Sequence, residues 1–237
     1  MGRIIAIGGG ELSELETLPI DTYIVKQINK QKPRALFIPT ASGEPEGYIS
    51  TFNKVYGEKL GCITDTLCLI SETLTDEEIR EKILSADIIY VGGGDTGKML
   101  SVWKSKKVDV YLKEAFQKDI ILSGLSAGSI CWFKYGHSEI SVDPYDFIQI
   151  EGLGFIDAIH CPHYNEEERK VDFDKMIGTL NITGIAVEDN CAIEFNRNQY
   201  RIIKAKESAN AYIFQQENGE IKKTVIPYSD LFQNFEL

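Results

Sequence analysis

Three apolar runs in this chain each end at glycine, and that repeated pairing restricts the fold more than any other feature. Arg3-Ile4-Ile5-Ala6-Ile7 leads into Gly8-Gly9-Gly10, and Asp87-Ile88-Ile89-Tyr90-Val91 into Gly92-Gly93-Gly94. Ile120-Ile121-Leu122-Ser123 leads into Gly124. Short, continuous apolar runs bounded by turns suit strands buried on both faces. Ala35–Ile38, stopped by Pro39, and Thr64–Leu69 read as two more. Helical patterns separate them: one within 45–60, one after Gly97, one over Val108–Lys118 and a last one over Glu166–Gly178. Another covers Thr75–Ser85, where Thr75 and Glu78 form a capping-box pattern. This alternation predicts an α/β fold with a doubly wound, mostly parallel sheet.

The last third changes character. Gly184–Val187, Ala192–Phe195, Gln199–Ile203 and Ala209–Phe214 read as short strands, and Asn218-Gly219 as a hairpin turn. The expectation is a C-terminal β meander added to the sheet edge, with the tail after Pro227 on the surface. No composition shift marks a linker, so residues 1–237 are expected to form a single α/β domain.

Charge and cysteine usage narrow the function classes. The net charge of −11 argues against a phosphate-backbone binder, which carries clustered Lys and Arg, and against an anionic membrane surface. Neither nucleic acid nor a membrane is therefore expected as a partner. The five cysteines, Cys62, Cys68, Cys131, Cys161 and Cys191, are widely spaced and form no C-x-x-C pair. That pattern suits reduced thiols and a cytoplasmic location. The first residues have no signal-peptide layout, and no apolar run reaches membrane length.

The motif that carries chemistry is Gly124-Leu125-Ser126-Ala127-Gly128, a G-x-S-x-G between an apolar strand and the run Ser129–Phe133, which can continue as a helix. A nucleophile elbow needs that setting: the flanking glycines permit a sharp turn, and the serine projects from the sheet. The N–H of Ala127 then points toward an incoming carbonyl oxygen. The same five residues also suit a tight turn in which the serine only caps the helix.

A hydrolytic serine needs a base, and the chain has three histidines. His163, on the loop after the apolar segment Phe155–Ile159, ranks first, because sheet-end loops are where α/β folds place their chemistry. His160, inside the apolar stretch, reads as a core histidine, and His137 as a surface turn residue. The acid that orients the base is sought between serine and histidine, where Glu139, Asp143 and Asp146 stand; spacing does not select among them. Gly92-Gly93-Gly94-Asp95-Thr96-Gly97 is neither a dinucleotide fingerprint nor a Walker A loop. It reads as the second wall of the site, with the Gly94 N–H as another oxyanion donor, or as a plain strand–helix turn capped by Asp95 or Thr96. Gly8-Gly9-Gly10 is assigned no chemistry.

Taken together, Val91-Gly92-Gly93-Gly94-Asp95-Thr96, Gly124-Leu125-Ser126-Ala127-Gly128 and Pro162-His163-Tyr164, with Gly152-Leu153-Gly154 before the last, resemble the dipeptidase E family. These are the α-aspartyl dipeptidases, serine peptidases related to cyanophycinase. The resemblance covers the chain from its first strand to about Ala211. It implies a fold resembling class I glutamine amidotransferases, a Ser–His–acid triad, an acyl-enzyme and no metal or other cofactor. Ser126 matches the family's nucleophile, His163 its histidine and Gly94 its oxyanion glycine. Glu139 stands where the family's aspartate is expected, with Asp143 in reserve, and Asp95 replaces an asparagine. The implied activity is hydrolysis of small peptides, dipeptides with N-terminal aspartate among them, by a monomer or homodimer. No cationic residue for that aspartate can be located in the sequence.

Three rival readings share this pattern. One is cleavage of another amide, such as a β-aspartyl bond of the cyanophycin type. Another is a non-catalytic small-molecule binding protein on the same scaffold. The third is a cysteine hydrolase using Cys131 or Cys161, which the serine at the elbow disfavours. The segments 42–47 and 134–149 are expected to rim the site.

Overall fold

A computed structural model of the chain describes residues 2–140, 143–217 and 219–234, and the side chains of 140 and 143–145 lie outside that description. In chain order the elements are β1 (Arg3–Ile7), α1 (Leu18–Lys26), β2 (Arg34–Ile38), α2 (Glu46–Phe52), β3 (Ile63–Thr66), α3 (Asp76–Leu84), β4 (Ile88–Val91), α4 (Thr96–Ser105), α5 (Val108–Gln117), β5 (Ile121–Leu125) and α6 (Ala127–Ile130). They continue as β6 (Phe133–Ile140), β7 (Asp143–Glu151), β8 (Ile156–Cys161), α7 (Glu167–Ile177), β9 (Gly184–Val187), β10 (Cys191–Asn196), β11 (Gln199–Lys204), β12 (Ala211–Glu217), β13 (Glu220–Val225) and β14 (Gln233–Asn234). A π-helical stretch, Asn53–Lys59, extends α2.

The main sheet has eight strands in the order β14-β11-β10-β1-β5-β4-β2-β3. The five strands from β1 to β3 in that order pair in parallel, and β10, β11 and β14 are antiparallel. Period-two alternation sends side chains to opposite faces. Ile4 and Ala6 pack with Ile79, Ile83, Met99, Trp103 and Leu112 of α3, α4 and α5. Ile5 and Ile7 pack with Ile20, Ile24, Phe52, Val55 and Tyr56 of α1 and the α2 region. The sheet is thus doubly wound, as the sequence predicts. Thr75 caps α3 through the expected capping box with Glu78.

The C-terminal strands depart from the expected meander. β10 and β11 do extend the main sheet, but β9 and β12 belong to a second, six-stranded sheet ordered β13-β12-β9-β8-β6-β7. The apolar run after the elbow also behaves differently from expectation. The helix there, α6, has four residues, and the chain then enters strand β6. Phe133, Ile156, Ala158, Ile185, Val187 and Ala211 of this second sheet join the same core cluster as α3 to α5. Burying β6 and β8 against that cluster outweighs continuation of the helix.

Asp21 sits on the buried side of α1, accepting hydrogen bonds from Thr17 Oγ1 at 2.8 Å and Tyr56 Oη at 2.8 Å. Burial pushes its carboxyl up from 3.8 to about 7, against the opposing effect of the two hydroxyls. The folded state therefore holds this proton at pH values where the unfolded chain has released it. Its contribution is full below about pH 4 and lost as pH rises toward 7, with a slope of at most about 1.4 kcal/mol per pH unit. The variant Asp21→Asn should flatten that part of the stability curve. Urea unfolding of both proteins between pH 4.5 and 7.5 measures it, and parallel curves would show that Asp21 titrates normally.

Candidate active site

The elbow forms where β5 leaves the middle of the parallel sheet. Ser126 has φ 57° and ψ −117°, outside the regions that L-residues favour. Its backbone is held from both sides. The Ser126 N–H donates to Ile7 O at 3.2 Å, and its carbonyl accepts from the N–H groups of Ser129 at 2.8 Å and Ile130 at 3.0 Å. The flanking glycines are required by space: a Cβ at Gly128 would lie 2.1 Å from Val91 O, and one at Gly124 would lie 2.3 Å from Gly128 O. Gly93, after β4, comes close enough that a Cβ there would be 3.2 Å from Ser126 Cβ.

His163 follows β8 and turns out of the second sheet with φ 52°. Its N–H donates to Gly8 O at 3.0 Å, and the N–H of Tyr164 donates to Val187 O at 3.2 Å. These bonds place the imidazole between the loop after β1 and the turn after β9. There His163 Nδ1 lies 2.7 Å from Asp189 Oδ1. A carboxylate only accepts, so the neutral ring carries its proton on Nδ1 and leaves the Nε2 lone pair free. Asp189 is itself fixed, accepting from Asn165 Nδ2 at 2.9 Å while its N–H donates to Asn165 Oδ1 at 2.8 Å. Burial opposes charge on Asp189, but the bonds from His163 and Asn165 outweigh it and hold the carboxyl below its usual range.

Ser126 and His163 line one cleft of about 400 Å³, together with Gly10, Glu11, Leu12, Ser13, Gly47, Tyr48, Thr51, Gly93 and Leu125. Burial, with the negative charges of Glu11 and Asp21, pushes the Tyr48 phenol up to about 12, and the Gly93 backbone hydrogen-bonds its oxygen. A recess of about 440 Å³ at the opposite end of β1, lined by residues such as Arg3, Asp119 and Arg197, holds no nucleophile–base pair.

The other residues singled out from sequence fall partly beside this cleft and partly away from it. Glu139 is not beside His163: its carboxylate pairs with Arg169 of α7. The reason is the exit of His163 toward Gly8 and Val187, which turns its ring to the β9 turn rather than to β6. Asp146 is exposed, and the side chain of Asp143 lies outside the described residues. His160 is a core residue, with Nδ1 3.0 Å from Ile185 O and Nε2 2.8 Å from Ser129 Oγ; burial lowers its pKa to about 3. His137 is not a surface turn residue but a buried one on β6, 2.8 Å from Asp172 Oδ1 and stacked on Phe147. Burial lowers it to about 4 despite that carboxylate. Cys131 and Cys161 are buried, and burial pushes both thiols up, which disfavours a thiolate nucleophile. Asp95 caps α4, accepting from the Lys98 N–H at 2.8 Å. Ala127 is buried directly after Ser126, and Gly94 takes φ 135° against the Ala41 carbonyl. Of the expected rims, Gly47 lines the cleft, whereas 134–149 lies largely in the β6–β7 hairpin.

Two features went unread in the sequence. Asp189 lies after the histidine, outside the interval searched for an acid, although it closes a sheet-end turn as His163 does. Gly8-Gly9-Gly10 backs the His–Asp pair. Gly9 O accepts from Asn190 N at 3.0 Å, and a Cβ at Gly9 would lie 1.8 Å from Asp189 Oδ1 and 2.4 Å from His163 Nδ1. Among the described residues no group of three His, Cys, Asp or Glu could hold a metal ion, and no helix is long and apolar enough to cross a membrane.

Comparison with known proteins bears on the fold and the family. The chain is 34% identical over 231 residues to the uncharacterized peptidase YgaJ of Bacillus subtilis (strain 168), covering 96% of this chain and 98% of that one. It is 29% identical over 155 residues to the uncharacterized peptidase Lmo0363 of Listeria monocytogenes, covering 63% of this chain and 74% of the relative. Among solved structures, a peptidase from an acI-B1 actinobacterium superposes with a TM-score of 0.69 at 20% identity, over 99% of this chain and 97% of that one. A candidate peptidase E protein from Listeria monocytogenes EGD-e superposes with a TM-score of 0.67 at 21% identity, over 86% and 98% of the two chains. The model of peptidase family S51 matches residues 4–203. The chain is a peptidase of the dipeptidase E type and belongs to family S51.

Proposed function

We propose that this peptidase hydrolyses small peptides, dipeptides among them, through an acyl-enzyme on Ser126, with His163 as base and Asp189 as the acid that orients it. One observation carries the reading. Ser126, held in a strained elbow conformation, shares a cleft with an imidazole whose Nδ1 is bonded to a half-buried carboxylate. Backbone strain of this kind concentrates at functional positions.

His163 Nε2 takes the Ser126 hydroxyl proton as Oγ attacks the peptide carbonyl. Asp189 stabilises the imidazolium without itself accepting the proton. The N–H of Ala127 and that of Gly94 are the oxyanion donors. The Tyr48 hydroxyl, whose oxygen already accepts from Gly93, has its own proton to offer into the cleft and stays protonated at neutral pH. The charged His163 then protonates the leaving amine, and water attacks the ester with His163 again as base.

The test is reaction with a fluorophosphonate, read by intact mass, followed by a panel of α-linked dipeptides and β-aspartyl amides. A single adduct on Ser126 with turnover of α-dipeptides is expected. Folded protein that forms no adduct would remove the serine mechanism; turnover of β-linked amides alone would remove the dipeptide assignment.

The variant Gly9→Ala tests the backing of the pair. Its methyl group occupies the space of the Asp189 and His163 contact, so the two side chains must separate. A loss of kcat/KM on the order of 10³-fold is expected, since the base then lacks its orienting partner. Near-wild-type activity in a folded variant would mean the pair is not needed.

A further inference from the structure

The charge of the cleft bears on which peptides it accepts. Among the described residues its lining contains no lysine or arginine, and its one carboxylate side chain is Glu11. Glu11 is fixed by its backbone on both sides. Its N–H donates to Glu16 Oε2 at 2.8 Å, and its carbonyl accepts from Glu14 N at 3.2 Å and Glu16 N at 3.1 Å. Its charge is felt at Tyr48, also in the lining, whose oxygen meets the Gly93 backbone beside Ser126. Glu11 both lines the cleft and is exposed to solvent.

We infer that Glu11 gives this cleft a cation-binding subsite, selecting peptides with an ammonium or guanidinium group near the scissile bond and disfavouring N-terminal aspartate. The inference rests on the serine-peptidase reading of the same cleft. A carboxylate attracts such a cation and repels a substrate carboxylate, and among the described residues the lining offers no lysine or arginine to reverse that sign. Two parts of a peptide carry the required charge: the free α-amino group and a lysine or arginine side chain.

Two matched fluorophosphonates, one ending in an ammonium and one in a carboxylate, test this on the intact protein. The rate of Ser126 labelling is measured for wild type, Glu11→Gln and Glu11→Lys. Wild type should favour the ammonium probe by about fivefold, the ratio that corresponds to a solvated ion pair of about 1 kcal/mol. Glu11→Gln should bring the ratio near one, and Glu11→Lys should invert it. Equal labelling of wild type by both probes, or a preference that survives Glu11→Gln, overturns the subsite and leaves the serine mechanism standing. No labelling by either probe overturns both. Hydrolysis of Ala-Ala, acetyl-Ala-Ala, Lys-Ala and acetyl-Lys-Ala then separates the two sources of charge. A loss on acetylating Ala-Ala assigns the subsite to the α-ammonium. An advantage of acetyl-Lys-Ala over acetyl-Ala-Ala assigns it to the side chain, and the absence of both effects overturns it.

Discussion

Ser126→Ala should lose turnover by on the order of 10⁵-fold while keeping the fold, because removing the nucleophile of a triad disables the whole unit. The Ser126 side chain makes no capping bond to α6, so alanine gives up no helix cap. Ser126→Gly should lose turnover equally and be the more stable of the two variants. At φ 57° and ψ −117° a Cβ-bearing residue carries strain of about 1–3 kcal/mol. Glycine relieves that strain, and its extra freedom in the unfolded chain offsets about 0.5–1 kcal/mol of the gain. A net advantage of about 1 kcal/mol for glycine over alanine is expected from urea unfolding. If alanine proves the more stable, the elbow is relaxed in solution and its geometry is no sign of preorganisation. If glycine does, stability is being given up at the residue proposed as the nucleophile.

That strain was legible in the sequence only as a motif. Gly124 and Gly128 flag a turn too tight for side chains, and the apolar run before them places it at the end of a buried strand. Four of the five parallel strands were legible for the same reason, since β1, β2, β4 and β5 are short apolar runs that meet glycine or proline, whereas the edge strand β3 is polar and has no such stop. α1 was missed although Pro19 at its start and Ile20 and Ile24 four residues apart are helix signals. Its nine residues are short, and the glutamate-rich loop before it reads as turn. The second sheet was missed for a different reason. Ser129–Phe133 is apolar without a clear period, and such a run fits a buried helix and a buried strand equally. Only long-range pairing of β6 with β8 decides between them, and no local pattern encodes that pairing. Asp189 was hidden by an assumption about chain order. Triads keep their geometry across unrelated orders of serine, acid and histidine, so the interval between serine and histidine has no privilege. A search of every sheet-end turn for an acid would have reached Glu188-Asp189-Asn190 after Val187.

The choice between the two acids leads to opposite expectations for two conservative variants. Asp189→Asn should lower kcat by on the order of 10⁴-fold, as amide replacement of an orienting aspartate does elsewhere. The amide nitrogen would donate to His163 Nδ1 and move the ring proton to Nε2, so the atom facing Ser126 could no longer accept. Glu139→Gln should leave kcat within about threefold, since no reacting group depends on it. Its effect should fall on stability instead. Arg169 is 5% exposed and loses a charged partner, but Glu166 remains 3.2 Å from its Nε and the His137 carbonyl 3.5 Å from its Nη1. With those partners kept, and with Glu139 itself partly solvated, the cost should be about 1 kcal/mol rather than the several that an uncompensated buried charge incurs. Steady-state kinetics and urea unfolding of the two variants, side by side, separate the roles. Loss of activity in Glu139→Gln with retention in Asp189→Asn would mean that His163 changes partner during turnover. Loss in Asp189→Asn alone would place the orienting acid on the turn after β9, where the first glycine cluster brings the backbone close enough to hold it.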